Sequence, residues 1–397
     1  MTRYFAELNA SAVVQRVIVA NDDDPTEWHL GAIGGWWAEG FRAGVFPKVG
    51  DTFTPYRTLR FGGSTPTASM APSPSGGDDT AALQAWLDGL ADGALARLQP
   101  SASYAVSGSI LLESRNYLDI DGNGSTLTAS STAEEDAQIL LLACTGIRIR
   151  NLTIQGENPD PGFNGAGAAG HEGRHGISIR TCDDVWVDSC TIRYTYADFV
   201  YIGVASTQTT VWPNNIRVTN CTFTSNGRMG VAIVAGFNVL IDNCTFNDCR
   251  RAGIDIEPNS VLGGARFLTV SNCAFGMVRL YNIACEGYGG DCAHIYVTDC
   301  TTTAEDGFNV TVNPPVGAQR RGPLYFLRNN VQGASVGTPG GATWQFVECD
   351  GVVIRDNVVA LSDDTVLAGF TDCTDYTVAG NTITGGVGDW YDETGTY

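Results

Sequence analysis

Three carboxylates, Asp255, Glu257 and Glu286, are the residues of this chain whose types and spacing best suit a reaction. Cleaving a glycosidic bond takes two carboxyl groups, one protonated and one ionised, and like charges about 5 Å apart raise one of the two pKa values. Asp255 and Glu257 are two residues apart, so on a strand they share one face. Arg228, Arg251, Tyr201 and Asp198 come from neighbouring positions and offer charge and a ring to an anionic or stacked sugar. The same carboxylates also suit Ca²⁺ or a solvated surface. In a chain with 43 acidic residues that plainer reading outweighs catalysis.

What would bring Glu257 and Glu286 together is a repeat. An octet recurs in which apolar and polar residues alternate, then Asn or Asp, then Cys or Asn, one residue, and an apolar one. It reads Ile216 to Phe223, Val239 to Phe246, Val185 to Ile192, Leu268 to Phe275, Ile295 to Thr302, Val352 to Val359 and Tyr376 to Ile383. Ile147 to Ile154 and Tyr325 to Gln332 are weaker copies, and Leu118 to Asn123 is read as the first turn. The sixth position gives a column of Asn123, Leu152, Cys190, Cys221, Cys244, Cys273, Cys300, Asn330, Asn357 and Asn381. Its mean spacing is about 29 residues, the length of one coil of a parallel β-helix, and coils stack about 4.8 Å apart. Glu257 lies thirteen residues past Cys244 and Glu286 thirteen past Cys273, so the two are expected to stack on adjacent coils.

A second column precedes the frame by three residues: Cys144, Cys182, Cys292, Cys349 and Cys373. The two columns hold ten of the twelve cysteines, leaving Cys249 and Cys285. Equivalent positions on successive coils stack like on like, so these thiols are expected to form buried ladders rather than disulfides or redox centres.

The string His171-Glu172-Gly173-Arg174-His175 has the H-E-x-x-H spacing of zinc hydrolases, whose chemistry needs both histidines on one helical face. Here it follows a Gly- and Ala-rich stretch inside the longest interval of the column. The expectation is a bulging loop that contacts a ligand, with no metal site and no required cofactor beyond an optional Ca²⁺. One lysine, Lys48, and four histidines leave little supply for Schiff-base or histidine-metal chemistry. A net charge of −20 argues against a nucleic-acid partner. No apolar run approaches spanning length and no export signal precedes the first strand, so a product of the cytoplasm without membrane insertion is expected.

The domains follow from composition. Residues 1–61 contain an alternating strand pair, Phe5 to Ala20, and an aromatic cluster of Trp28, Trp36, Trp37, Phe41, Phe46 and Phe53, suggesting a small β-domain. From Gly62 to Gly77 the chain is uncharged and dominated by Gly, Ser, Thr and Pro, which reads as a linker. Residues 78–397 open with an Asp- or Thr-capped helix, Asp78 to Leu90, able to cover the first coil. The fold expected is all-β: a parallel β-helix of about ten coils with a capping helix and a small N-terminal β-domain.

The run Asp78-Asp79-Thr80-Ala81-Ala82-Leu83-Gln84-Ala85 before Gly- and Asn-rich coils is similar to the start of pectate-lyase-like right-handed β-helix proteins, many of them bacteriophage tailspikes. Tyr4 to Leu8 and Val14 to Ala20 resemble the first strands of phage tail proteins. The resemblance implies a right-handed helix in a tailspike- or tail-fibre-like virion protein assembled in the host cytoplasm. It implies attachment to other virion proteins through residues 1–61, a homotrimer, and adhesion to a host surface polysaccharide. The rival is a glycan depolymerase using Glu257 and Glu286 with Asp255.

Overall fold

The structure, a computed structural model, describes residues 68–130, 137–167, 169–205, 211–288, 291–302, 307–313, 320–334, 342–361, 365–386 and 388–392, and three strands before them. The chain divides into two compact units, Met1–Pro66 and Thr67–Tyr397. In the first, Thr2–Leu8 pairs antiparallel with Val14–Asn21 on one side and Trp36–Glu39 on the other. The side chains of its aromatic cluster lie outside the described residues.

The second unit is a right-handed parallel β-helix. Each coil contributes one strand to each of three parallel sheets. Sheet 1 has 11 strands, from Ile110–Glu113 to Gly388–Asp392; sheet 2 has 12, from Ala68–Met70 to Thr377–Ala379; sheet 3 has 11, from Ser103–Val106 to Thr382–Thr384. The alternation that marks the sequence is the alternation of inward and outward side chains. Inward residues form one continuous core, in which Phe199, Phe223, Phe246 and Phe275 stack at 5.3, 5.0 and 5.1 Å.

The turn between sheets 2 and 3 explains the Asn and Asp of the repeat. The residue before the column takes a left-handed backbone conformation at Asn151, Asn220, Asn243, Asn272 and Asp299, a region Asn and Asp enter more readily than most side chains. The next residue turns inward, where Cys190, Cys221, Cys244, Cys273 and Cys300 are buried. Their Sγ atoms donate to the carbonyl two residues earlier, as Cys221 does to Thr219 O at 3.1 Å and Cys273 to Ser271 O at 3.2 Å. All twelve cysteines are free thiols.

Two column positions differ from the sequence reading. The N–H after each column residue bonds the column carbonyl of the preceding coil, and this chain runs through Ser125 and Asn329 rather than Asn123 and Asn330. At the first, Gly122-Asn123-Gly124 makes a wider turn, with Asn123 and Gly124 both left-handed. At the second, Leu324 rather than Tyr325 pairs with Ile295 and Val352. Leu324 and Phe326 are thereby buried while Tyr325 faces out and stacks on Tyr296 at 4.5 Å. Two apolar pairs compete for the inward face here, and the outward tyrosine stack goes with the one the structure adopts.

The linker reading also needs correction for its second half. Ala68–Met70 pairs with Leu95–Arg97, Ala71 is buried, Gln99 Nε2 donates to Ala71 O at 2.7 Å and Tyr104 Oη to Pro72 O at 2.9 Å. Residues 68–77 therefore belong to the β-helix. The helix Thr80–Asp88 buries Leu83 and Leu87 on the first coil. The Gln84 side chain bonds both the N–H and the C=O of Leu111 at 2.8 Å, supplying partners to an edge strand that has no coil before it. Asp79 is the N-cap residue, but its carboxylate accepts from the N–H groups of Ser75 and Ala105, and it is Asp78 Oδ1 that accepts from the first helical N–H, that of Thr80, at 3.0 Å.

Candidate functional site

The outward face of sheet 1 carries Ser178, Tyr201, Ala232, Asp255, Ala284 and Thr311 in register on six consecutive coils. Ile254 and Ile256, on either side of Asp255, fill the core, so Asp255 must point outward. Its neighbours above and below are Ala232 and Ala284, both buried.

Glu257 and Glu286 occupy equivalent places on adjacent coils. Ile256 pairs with Cys285, and the N–H of Glu286 bonds Ile256 O at 2.8 Å as that of Glu257 bonds Ile233 O at 3.1 Å. Arg228 ties the site together. Its Nη1 lies 3.5 Å from Asp198 Oδ2 and its Nη2 3.1 Å from Glu257 Oε2, so the guanidinium bridges the carboxylates of two different coils. Asp198, fully buried, also accepts from the Met229 N–H at 3.0 Å and faces His175 Nδ1 at 3.1 Å. Glu286 Oε1 accepts from Asn313 Nδ2 at 3.0 Å. His175 stacks on Tyr201 at 4.8 Å, and Arg180 stands 5.4 Å over the same ring. Arg251 is exposed one coil beyond Arg228 and acts on Glu286 through its charge. All seven residues singled out in the sequence thus form one interacting group on adjacent coils, with Asp198 and Asp255 buried in it.

The electrostatics separate the carboxyls. Asp255 is 2% exposed, and no hydrogen bond reaches its Oδ1. Burial pushes its pKa well above the carboxylate range, Glu257, Glu286 and Asp198 push it further, and Arg228 opposes them. Glu286 is also raised, by burial and then by Glu257, against Arg321, Arg251 and Asn313. Arg228 is held more firmly charged: burial alone would lower it, but Asp198, Glu257, Glu172 and Asp255 outweigh that.

The H-E-x-x-H string lies in turns. His171 packs on Tyr196 at 4.3 Å and Arg174 pairs with Glu157, while His175 contacts the site and Glu172 acts on Arg228 through its charge, so the histidines share no helical face. Among the described residues no three His, Cys, Asp or Glu side chains are grouped to hold a metal. The segment before the string crosses later coils: Gly162 N–H bonds Asn226 O at 2.7 Å, and Phe163 N–H bonds Asp248 Oδ1 at 2.7 Å. Sequence reasoning missed His175 as a site residue, Asn313 and Arg321. His175 was visible as the last residue of the string directly before a strand. Among the described residues no helix is long and apolar enough to cross a membrane.

Comparison with known proteins agrees on the architecture. The family model described as a right handed beta helix region matches residues 137–314. No curated protein matches in sequence. Among solved structures, the endo-xylogalacturonan hydrolase from Aspergillus tubingensis superimposes with a TM-score of 0.60 at 15% identity, over 83% of this chain and 94% of its own. A mutant tailspike protein of E. coli bacteriophage HK620, in complex with a pentasaccharide, gives 0.58 at 11% identity, over 82% of this chain and 61% of its own. The Streptococcus pneumoniae surface protein and adhesin PfbA gives 0.52 at 13% identity, over 82% and 99%. At these identities the likeness is one of fold, shared by a hydrolase, a tailspike and an adhesin.

Proposed function

We propose that this protein binds and cleaves a polysaccharide laid across the outward face of sheet 1, with Asp255 as general acid and Glu257 as general base. One observation carries the reading: a carboxyl 2% exposed, without a partner for Oδ1, lies between two alanines and beside two further carboxylates. Nothing in the stability of the coil calls for such a group, and its environment favours the protonated form. Asp255 would pass that proton to the glycosidic oxygen as the C–O bond breaks. Glu257, paired with Arg228, would take a proton from the water that attacks the opposite face of the sugar. Residues i and i+2 of a strand stand about 6.7 Å apart, in the inverting range of about 6.5–9.5 Å, whereas stacked Glu257 and Glu286, about 5 Å apart, would suit retention. Incubating the protein with surface polysaccharides and following the first product by NMR tests this. The inverted anomer is expected, with Glu257→Gln slower by about 10²–10⁴-fold. No released oligosaccharide after long incubation removes the enzyme reading.

A second reading is adhesion without cleavage. It is favoured by the Arg228–Glu257 ion pair, which occupies the carboxylate that would serve as base. For either reading we infer a phage setting: attachment to virion proteins through residues 1–61, a homotrimer and a host surface glycan. The N-terminal resemblance and the shared fold with a tailspike bound to a pentasaccharide support it. Co-purification with intact virions is the direct test.

A further inference from the structure

Moving the frame from Tyr325 to Leu324 moves its companion column too, and three residues before Leu324 stands Arg321. The backbone confirms the place: Gly322 N–H bonds Cys292 O and Asp350 N–H bonds Arg321 O, continuing the pattern that joins Cys349 to Thr374. A guanidinium therefore fills a ladder position that Cys292 fills in the coil before and Cys349 in the coil after. It is 1% exposed, among the largest fully buried side chains of the molecule, and among the described residues no carboxylate forms an ion pair with it. An arginine is a costly filler for a hydrophobic coil, since a buried charge without an anion is strongly unfavourable.

What it grips indicates its use. Nη1 donates to Cys285 Sγ at 2.6 Å and Nη2 to Gly287 O at 3.2 Å. These are the residues immediately before and after Glu286. We propose that Arg321 is a positioning residue for Glu286, holding both flanks of that residue from inside the coil and setting the charge of its carboxyl from beneath. The proposal rests on Glu286 belonging to the carboxylate site. Cys285 is the companion of this device: despite its burial, Cys292 and the Arg321 guanidinium bring its thiol down to about 7. The guanidinium thus lies between the inward Cys285 sulfur, which it bonds, and the outward Glu286 carboxyl, on which its charge acts.

The groups facing Glu286 are Glu257 on the coil before, Arg251 at the rim, Asn313 on the coil after, and Arg321 with Cys285 from within. The test is the carboxyl titration of Glu286 itself, followed by ¹³C NMR on glutamate-labelled full-length protein and assigned by the signal lost in Glu286→Gln. Arg321→Met is expected to raise the Glu286 midpoint by about one pH unit or more and Arg321→Lys to restore most of it. Should Arg321→Met not fold, Arg321→Gln, which removes the same charge and keeps a polar side chain, decides. A Glu286 midpoint unchanged in a folded Arg321→Met or Arg321→Gln overturns the proposal and leaves Arg321 a packing residue. A shifted midpoint in a protein that releases no oligosaccharide supports the positioning role and rejects cleavage, so the two claims fail separately.

Discussion

The inside of the coils at Cys190 to Cys300 and the outside of sheet 1 at Asp255 use the same geometry to opposite ends. In both places equivalent residues stand one coil apart. Inside, each thiol finds the carbonyl two residues back, as Cys244 finds Asp242 O at 3.3 Å, so repetition multiplies a satisfied contact. Outside, repetition brings Glu257 over Glu286, and Asp255 lies buried between alanines with Oδ1 unpartnered. Stacking stabilises neutral groups that carry their own partner and penalises charges that do not. Regions where a protein bears such a penalty are where function is to be sought.

The sharpest way to break this contrast is to neutralise Asp255. Asp255→Asn is expected to lower polysaccharide cleavage by about 10²–10⁴-fold, because the proton donor is gone, and to raise the stability at neutral pH by about 0.5–2 kcal/mol. Denaturant unfolding alongside an assay of oligosaccharide release gives both numbers. A variant that loses stability together with activity would place Asp255 with the structural ladders.

The opposite substitution tests the inside. Cys244 lies under Phe246 and between Cys221 and Cys273, all buried, so Cys244→Phe must overpack the coil and is expected to cost about 1–3 kcal/mol. The measurement is the shift in the urea midpoint at constant slope. Cleavage per folded molecule should change little. Twelve thiols should titrate in denaturant without reductant, and eight or fewer would mean disulfides in place of the ladder.

How much of this was legible follows from the same geometry. In a parallel stack, sequence distance from a column converts directly into position on the coil, and so counting thirteen residues past Cys244 and Cys273 places Glu257 and Glu286 on adjacent coils from the sequence alone. That conversion fails where the segment between strands varies in length. His175 arrives on the loop of the longest interval, and Asn313 follows a segment with no frame of its own. The frame also slipped by one residue at Tyr325, where Tyr-Phe-Leu offers apolar residues to both faces, and by two at Asn123, where Gly122 to Gly124 widens the turn. The first slip hid Arg321, since a frame set on Tyr325 points three residues back to Gly322.

The smallest expected effect is the pH dependence that Asp255 imposes on stability, and it isolates the outside region from all else. The folded-state pKa of Asp255 lies above that of the unfolded chain, about 3.9, because burial comes first among its causes and Glu257, Glu286 and Asp198 add to it. Below about pH 3.9 the carboxyl is protonated in both states, and the wild type should match Asp255→Asn. As pH rises from there towards the folded midpoint, the unfolded chain gives up the proton while the native protein retains it, so the wild type loses stability relative to the variant. Above the folded midpoint the difference levels off. Taking the difference between the two proteins cancels the carboxylates that titrate alike in both. Thermal midpoints of the pair at half-unit steps from pH 3 to 8 give the curve. A gap already open at the lowest pH would assign the gain to packing of the amide, and a gap that never opens would mean that Asp255 ionises as freely in the folded protein as in water.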